Sequence, residues 1–116
     1  MSFRFTPDQR IRNRSGFDAV YATRRSRRAG PLLVFVRRGT GEFGPRLGLS
    51  LPKRVGSAVV RNRIRRRLRE AFRLQQHDWP SGVDVVINVR QHESLETSKY
   101  GTLLEEARQS LIGADN

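Results

Sequence analysis

The sequence predicts a small α+β fold, an α/β sandwich formed as one domain over residues 1–116. Three observations predict it. Leu47, Leu49 and Leu51 alternate with Arg46, Gly48 and Ser50, the period-two mark of a half-buried strand. Val83, Val85, Ile87 and Val89 repeat that pattern further along. Between them, Val60, Ile64, Leu68, Ala71 and Phe72 share one side of a helical wheel, a stripe roughly 120° wide that suits packing on a sheet. A chain of 116 residues is long enough for one such core and too short for two.

In order along the chain, residues 1–14 read as a basic N-terminal arm with Pro7 as a breaker. Ser15 followed by Asp18 resembles a capping box and opens a short helix to about Thr23, with Phe17, Val20 and Tyr21 at i, i+3 and i+4. Arg24 to Pro31 reads as a basic loop closed by a Gly-Pro breaker. Leu32 to Val36 is an unbroken apolar run with aromatic and β-branched members, a central strand. Arg37 to Pro45, with three glycines, reads as a turn. The strand carrying Leu47 to Leu51 stops at Pro52, and the long helix follows. Gly82 to Val89 gives a third strand, and Ser98 is the expected cap of a last helix running to about Leu111. That helix carries Leu103, Leu104, Ala107 and Leu111 on its apolar side. The predicted order is helix-strand-strand-helix-strand-helix, without internal repeat or dividing linker.

Charge narrows the function. The formal net charge is +12, and it is unevenly spread. Residues 1–30 hold eight arginines against Asp8 and Asp18, and residues 53–73 hold nine basic side chains against Glu70. From residue 74 onward acidic residues outnumber basic ones. A polyanion would therefore meet the N-terminal arm and the middle helix, with the C-terminal third turned away. Nearly all the cations are arginine, whose planar fork suits phosphates and bases; codon bias in a GC-rich genome explains the preference equally well, but not the clustering. There is no cysteine, which excludes disulfides, thiolate metal sites and a cysteine nucleophile. No segment has the apolar length of a membrane span, so no membrane association is expected, and the reading is a cytoplasmic protein.

The segment from Gly56 to Arg73 concentrates the signal. Opposite its apolar stripe lie Asn62, Arg66, Arg69 and Arg73, with Arg61 and Arg65 at one border and Arg67 at the other. A merely solvated face would mix signs, because like charges three and four apart destabilise a helix by a few tenths of a kcal/mol per pair. Only Glu70 offsets them. Lys53 and Arg54 add cations just before the helix begins, where backbone N–H groups favour anions. The helix is read as a nucleic-acid-binding surface.

The strings Arg46-Leu47-Gly48, Lys53-Arg54-Val55-Gly56, Val59-Val60-Arg61-Asn62-Arg63-Ile64-Arg65-Arg66 and Arg69-Glu70-Ala71-Phe72-Arg73 closely resemble the bacterial ribonuclease P protein subunit family. The likeness extends to Phe17-Asp18-Ala19-Val20-Tyr21 upstream and Val83-Asp84-Val85-Val86 downstream. It implies a sandwich of the ribosomal protein S5 domain 2-like kind, with the basic helix in a left-handed crossover. It also implies a subunit of an endoribonuclease whose active site, using Mg2+ bound mainly by RNA and substrate, lies in a catalytic RNA that removes the 5′ leader of precursor tRNA. No catalytic residue, no metal site and no obligatory protein partner is then expected on this chain. By that resemblance Arg61, Asn62, Arg63, Arg65, Arg66, Arg69 and Arg73 face the catalytic RNA, while Phe17, Tyr21 and Phe35 line a leader cleft with Lys53 and Arg54 beside it. Aromatic faces hold unpaired bases without demanding a sequence. Taken without the resemblance, Phe17 and Tyr21 read as core packing at helical spacing ahead of a cleft role. Pro52 stands where the family commonly has serine, and Tyr21 where it has phenylalanine.

The eleven carboxylates are scattered, His77 and His92 lack partners at triad or ligand spacing, and Gly39-Thr40-Gly41 lacks the lysine and helix of a phosphate loop. Two other readings stay open at this point. One is a ribosomal or other structural RNA-binding protein, which needs no leader cleft. The other is a duplex-DNA binder, though no helix-turn-helix spacing or dimer zipper is present.

Overall fold

A computed structural model describes residues 10–11, 13–39 and 44–113 of the chain. Helix α1 spans Arg14–Tyr21, strands β1, β2 and β3 span Ser26–Ala29, Leu32–Arg37 and Arg46–Ser50, helix α2 spans Ala58–Leu74, strand β4 spans Asp84–Val89 and helix α3 spans Thr97–Leu111. Short 3-10 turns at Lys53–Val55 and Gln76–Asp78 flank α2. The strands form one mixed sheet in the order β1-β2-β4-β3. β2 is antiparallel to both β1 and β4, while β3 and β4 run parallel, joined through α2.

The register sorts side chains to two faces. Leu32, Val34 and Val36 of β2, Val85, Ile87 and Val89 of β4 and Leu47 of β3 form the main core. There they meet Ile64, Leu68, Ala71 and Phe72 of α2 and Tyr100, Leu104, Ala107 and Leu111 of α3. Ile64, Leu68 and Phe72 are fully buried, each contributing about 1.5–3 kcal/mol of burial. On the other face, Val86, with Phe35 beside it, packs against Ile11, Phe17, Val20 and Tyr21, so α1 covers part of the sheet's second side. β4, buried on both sides, is the central plank of the domain.

The α+β class stands, with one strand more than expected. The basic loop of residues 24–31 holds a strand: Ser26 to Ala29 pair with Phe35 to Leu32, through a hairpin whose Gly30 takes φ of 56°. Two arginine pairs hid it, because an edge strand needs only one buried residue, here Ala29. Two caps also differ. Asn13, rather than Ser15, caps α1 by accepting the N–H of Gly16, and Ser15 sits inside the first turn, donating to Asn13 Oδ1 at 3.0 Å. Glu96 occupies the N-cap of α3 without a side-chain bond, and Ser98 lies within the helix. Tyr100 is the largest fully buried side chain and its hydroxyl accepts the N–H of Leu95 at 3.2 Å, a polar tie that the spacing of leucines did not reveal. Of the expected arm, Arg10 and Ile11 reach the sheet beside Leu47, whose carbonyl accepts the Ile11 N–H at 2.9 Å, and Arg14 already belongs to α1. Residues 1–9, residue 12 and the middle of the expected Arg37–Pro45 turn, residues 40–43, lie outside the described residues.

Candidate nucleic-acid interface

Helix α2 begins at Ser57, whose Oγ accepts the Val60 N–H at 3.2 Å. Its buried stripe is held by the sheet and α3, so the opposite side is forced outward. Asn62, Arg63 and Arg66 are exposed, and Arg61, Arg65, Arg69 and Arg73 are half-buried along the flanks. Several guanidinium groups are pre-set by neighbours. Arg61 Nε donates to the Gly56 carbonyl at 3.2 Å, Arg65 Nη1 to Asn62 Oδ1 at 2.6 Å, and Arg67 Nη1 to the Leu95 carbonyl at 2.8 Å. Glu70 binds Arg73 through two hydrogen bonds of 2.9 and 2.7 Å, which hold the Glu70 carboxyl below its ordinary pKa. The one acidic side chain of the helix is thereby occupied, and so is Arg73.

Two hollows mark this surface. One of about 420 Å³ is lined by Val59, Asn62, Arg65, Arg66 and Arg69. Another, of about 350 Å³, is lined by Arg63, Arg66, Arg67, Glu70 and Thr97. Arg66 borders both. Val59 is 67% exposed within this basic setting, an apolar contact point that the sequence pattern did not single out.

The second face of the sheet carries the aromatic residues. Phe17 and Tyr21 lie one turn apart on α1, with ring centroids 6.3 Å apart, and Tyr21 meets Phe35 edge-on at 4.9 Å. All three are half-buried. They are thus neither sealed core nor free rings. Gly48 makes the arrangement fit, since a Cβ there would lie 2.8 Å from Phe17 Cζ. The Tyr21 hydroxyl donates to Asn88 Oδ1 at 2.6 Å. Burial pushes the Tyr21 phenol above its ordinary pKa, opposed by its hydrogen bonds with Asn88 and Ser50.

Beside these rings lies a cavity of about 170 Å³ lined by Leu33, Ser50, Pro52, Arg54, Asn88 and Arg90, among others. Arg54 therefore stands at the cleft, while Lys53 is exposed on the adjoining turn and does not line the cavity. Ser50, Asn88 and Arg90 were not anticipated. A polar Asn88 inside the apolar run Val85–Val89 was the available signal.

A basic helix on one side of a sheet and a half-open aromatic cleft on the other define a small α+β domain with a cationic face suited to a polyanion. A sequence model of the family Ribonuclease P matches residues 5–114. The ribonuclease P protein component of Desulfovibrio desulfuricans is 36% identical over 98 residues, covering 84% of this chain and 75% of that protein. That of Aliivibrio salmonicida is 32% identical over 107 residues, covering 90% of each. Among solved structures, the Staphylococcus aureus RNase P protein is 26% identical with a TM-score of 0.75, covering 88% of this chain and 94% of that one. The Thermotoga maritima RNase P protein is 25% identical with a TM-score of 0.73, covering 84% and 92%. The chain belongs to the ribonuclease P protein family.

Proposed function

We propose that this chain is the protein subunit of ribonuclease P, binding the catalytic RNA through α2 and the 5′ leader of precursor tRNA through the aromatic cleft. The observation that carries the proposal is the separation of these two surfaces by one sheet, since α2 packs on its first face and α1 on its second. A protein so built can touch two RNA segments at once. On α2, Asn62, Arg63 and Arg66 are the outermost groups, with Arg61, Arg65 and Arg69 beside them. On the cleft side, Phe17, Tyr21 and Phe35 offer stacking surface worth about 1–3 kcal/mol per base, and Arg54 and Lys53 supply phosphate contacts.

The chemistry is assigned to the RNA subunit. Among the described residues no three His, Asp or Glu side chains gather where they could hold a metal ion. In this proposal Mg2+ belongs to the RNA and the substrate, and the protein contributes position and charge screening. Among the described residues no helix is long and apolar enough to cross a membrane. The proposal puts the subunit in the cytoplasm, with its RNA partner and substrate.

Reconstitution with a bacterial ribonuclease P RNA and a precursor tRNA at low magnesium tests the proposal. The expected result is stimulated 5′ cleavage that grows with leader length. Absence of stimulation, or a preference for duplex DNA over structured RNA at moderate salt, overturns it.

A further inference from the structure

The arginine-rich stretch of residues 24–28 has no part in the function proposed above, yet the fold gives it a defined place. As β1 it pairs with β2 so that Arg28 stands opposite Leu33, Leu33 opposite Asn88, and Asn88 opposite Ser50. These four side chains therefore form one row across all four strands, on the face that carries Phe35 and Val86. The neighbouring row, Phe35, Val86 and Gly48, lies under α1. The row from Arg28 to Ser50 runs along the flank of that cover, and three of its members, Leu33, Asn88 and Ser50, line the open cavity.

Charge follows the same line. Arg54 stands at the β3 end of the row, Arg90 lies two residues beyond Asn88 on the same side of β4, and Arg28 is exposed at the β1 end. No acidic side chain lines the cavity or belongs to the row. Among the described residues Arg28 has no ion-pair partner. The middle of the track is different in kind: Leu33 is an apolar floor, and the Asn88 amide and Ser50 hydroxyl are neutral polar groups. Cations at the ends and along one wall, with a neutral floor large enough for a flat ring, suit a single polynucleotide strand laid across the sheet. A duplex is too wide for a cavity of about 170 Å³.

We infer that the leader track does not end at the aromatic cleft but continues across the sheet to β1, where Arg28 is its distal phosphate contact. The inference rests on the leader-binding reading above and deepens it. Three interstrand spacings separate β3 from β1, about 14 Å in all, so Arg28 and Arg54 meet different leader nucleotides, and the inference assigns Arg28 those farther from the cleavage site. Arg27, which alternates to the other face, is not part of the track.

The test uses the reconstituted holoenzyme with precursor tRNAs whose leaders are shortened stepwise, comparing the wild-type protein with Arg28→Ala and Arg28→Glu. Arg28 is exposed, and circular dichroism checks that each variant is folded. Affinity for the longest leader is expected to fall about three- to tenfold in Arg28→Ala and further in Arg28→Glu, with the loss shrinking as the leader is cut back. The salt dependence for the long leader becomes shallower by about 0.7 in the log–log slope, as for one lost contact to a single strand. A loss equal at every leader length, or weaker binding of the catalytic RNA alone, places Arg28 on the RNA subunit and overturns the inference. So does no loss at all. If wild-type affinity is itself independent of leader length, the leader-binding reading fails first, and the inference falls with it.

Discussion

Tyr21 of α1 donates its hydroxyl proton to Asn88 Oδ1 of β4 at 2.6 Å, across 67 residues of chain. This bond ties the helix that carries the aromatic rings to the strand at the centre of the sheet. The ring needs no hydroxyl for packing, because its edge already rests on Phe35. Tyr21→Phe therefore separates the two roles. Losing a half-buried hydrogen bond costs about 1 kcal/mol in urea unfolding. Binding of a leader-bearing substrate is expected to weaken more than binding of the catalytic RNA, because Asn88 then loses its fixed orientation at the cavity.

Gly48→Ala tests how closely α1 is fitted to the sheet. The added Cβ would sit 2.8 Å from Phe17 Cζ and 3.2 Å from Ile11 Cβ. The ring must tilt away, and overpacking of this kind costs about 1–3 kcal/mol. Urea titration should show that loss, and leader-dependent stimulation should fall while affinity for the catalytic RNA changes little, since α2 lies on the far face.

Arg46 and Asp84 face each other on the parallel strands β3 and β4, joined by two hydrogen bonds of 2.7 Å. Their exposure is unequal: the Asp84 side chain is 1% exposed and that of Arg46 38%. Removing the cation takes two charge-assisted hydrogen bonds from a buried carboxylate, whereas removing the carboxylate leaves an arginine that water reaches. Arg46→Ala is expected to destabilise by about 3 kcal/mol, and Asp84→Asn by clearly less. Chemical denaturation of the two variants measures the asymmetry, and equal losses would show that both groups are hydrated in the folded protein.

Alkaline stability depends on the two tyrosines of the chain. Burial raises the phenol pKa of Tyr21 and of Tyr100 above the ordinary 10.0, and at Tyr100 the Leu95 N–H and the Arg67 cation oppose the shift. A folded-state pKa above the unfolded one favours the neutral phenol. The stabilisation is thus complete below about pH 10 and is lost as pH climbs through the higher folded values. Tyrosinate absorbance is expected to rise together with loss of helical circular dichroism above pH 10, rather than ahead of it.

What the sequence disclosed follows the strength of its periodicities. The α2 stripe was legible because Ile64, Leu68, Ala71 and Phe72 repeat over about two and a half turns and all are buried. Strands β2, β3 and β4 were legible from an unbroken apolar run in the first and apolar alternation in the other two. β1 was not, since pairing along an edge is set by the partner strand and leaves only Ala29 inside. The Asn13 cap lost out to Ser15 because either residue type suits an N-cap, and backbone geometry chose between them. For the site, the arginines of α2 announced themselves by density. Ser50, Asn88 and Arg90 did not, because their meeting at one cavity depends on the register of β3 with β4, which pairs residues 38 apart.

Within the basic helix, Asn62 and Arg66 are expected to act differently on RNA. Arg66 is exposed between two hollows and carries a full charge, so Arg66→Ala removes a phosphate contact and lowers the salt slope of RNA binding by about 1. Asn62 is neutral, but its Oδ1 holds Arg65 Nη1 at 2.6 Å and fixes the direction of that fork. Asn62→Ala loosens Arg65 without removing its charge. Affinity falls by about five- to tenfold, from lost pre-organisation, with a smaller change in salt slope than Arg66→Ala produces. Both positions are exposed, so folding stability moves by less than about 0.5 kcal/mol in either variant. Binding to the catalytic RNA over a series of salt concentrations separates the two roles, and parallel losses with identical slopes would show that Asn62 serves only as a spacer between arginines.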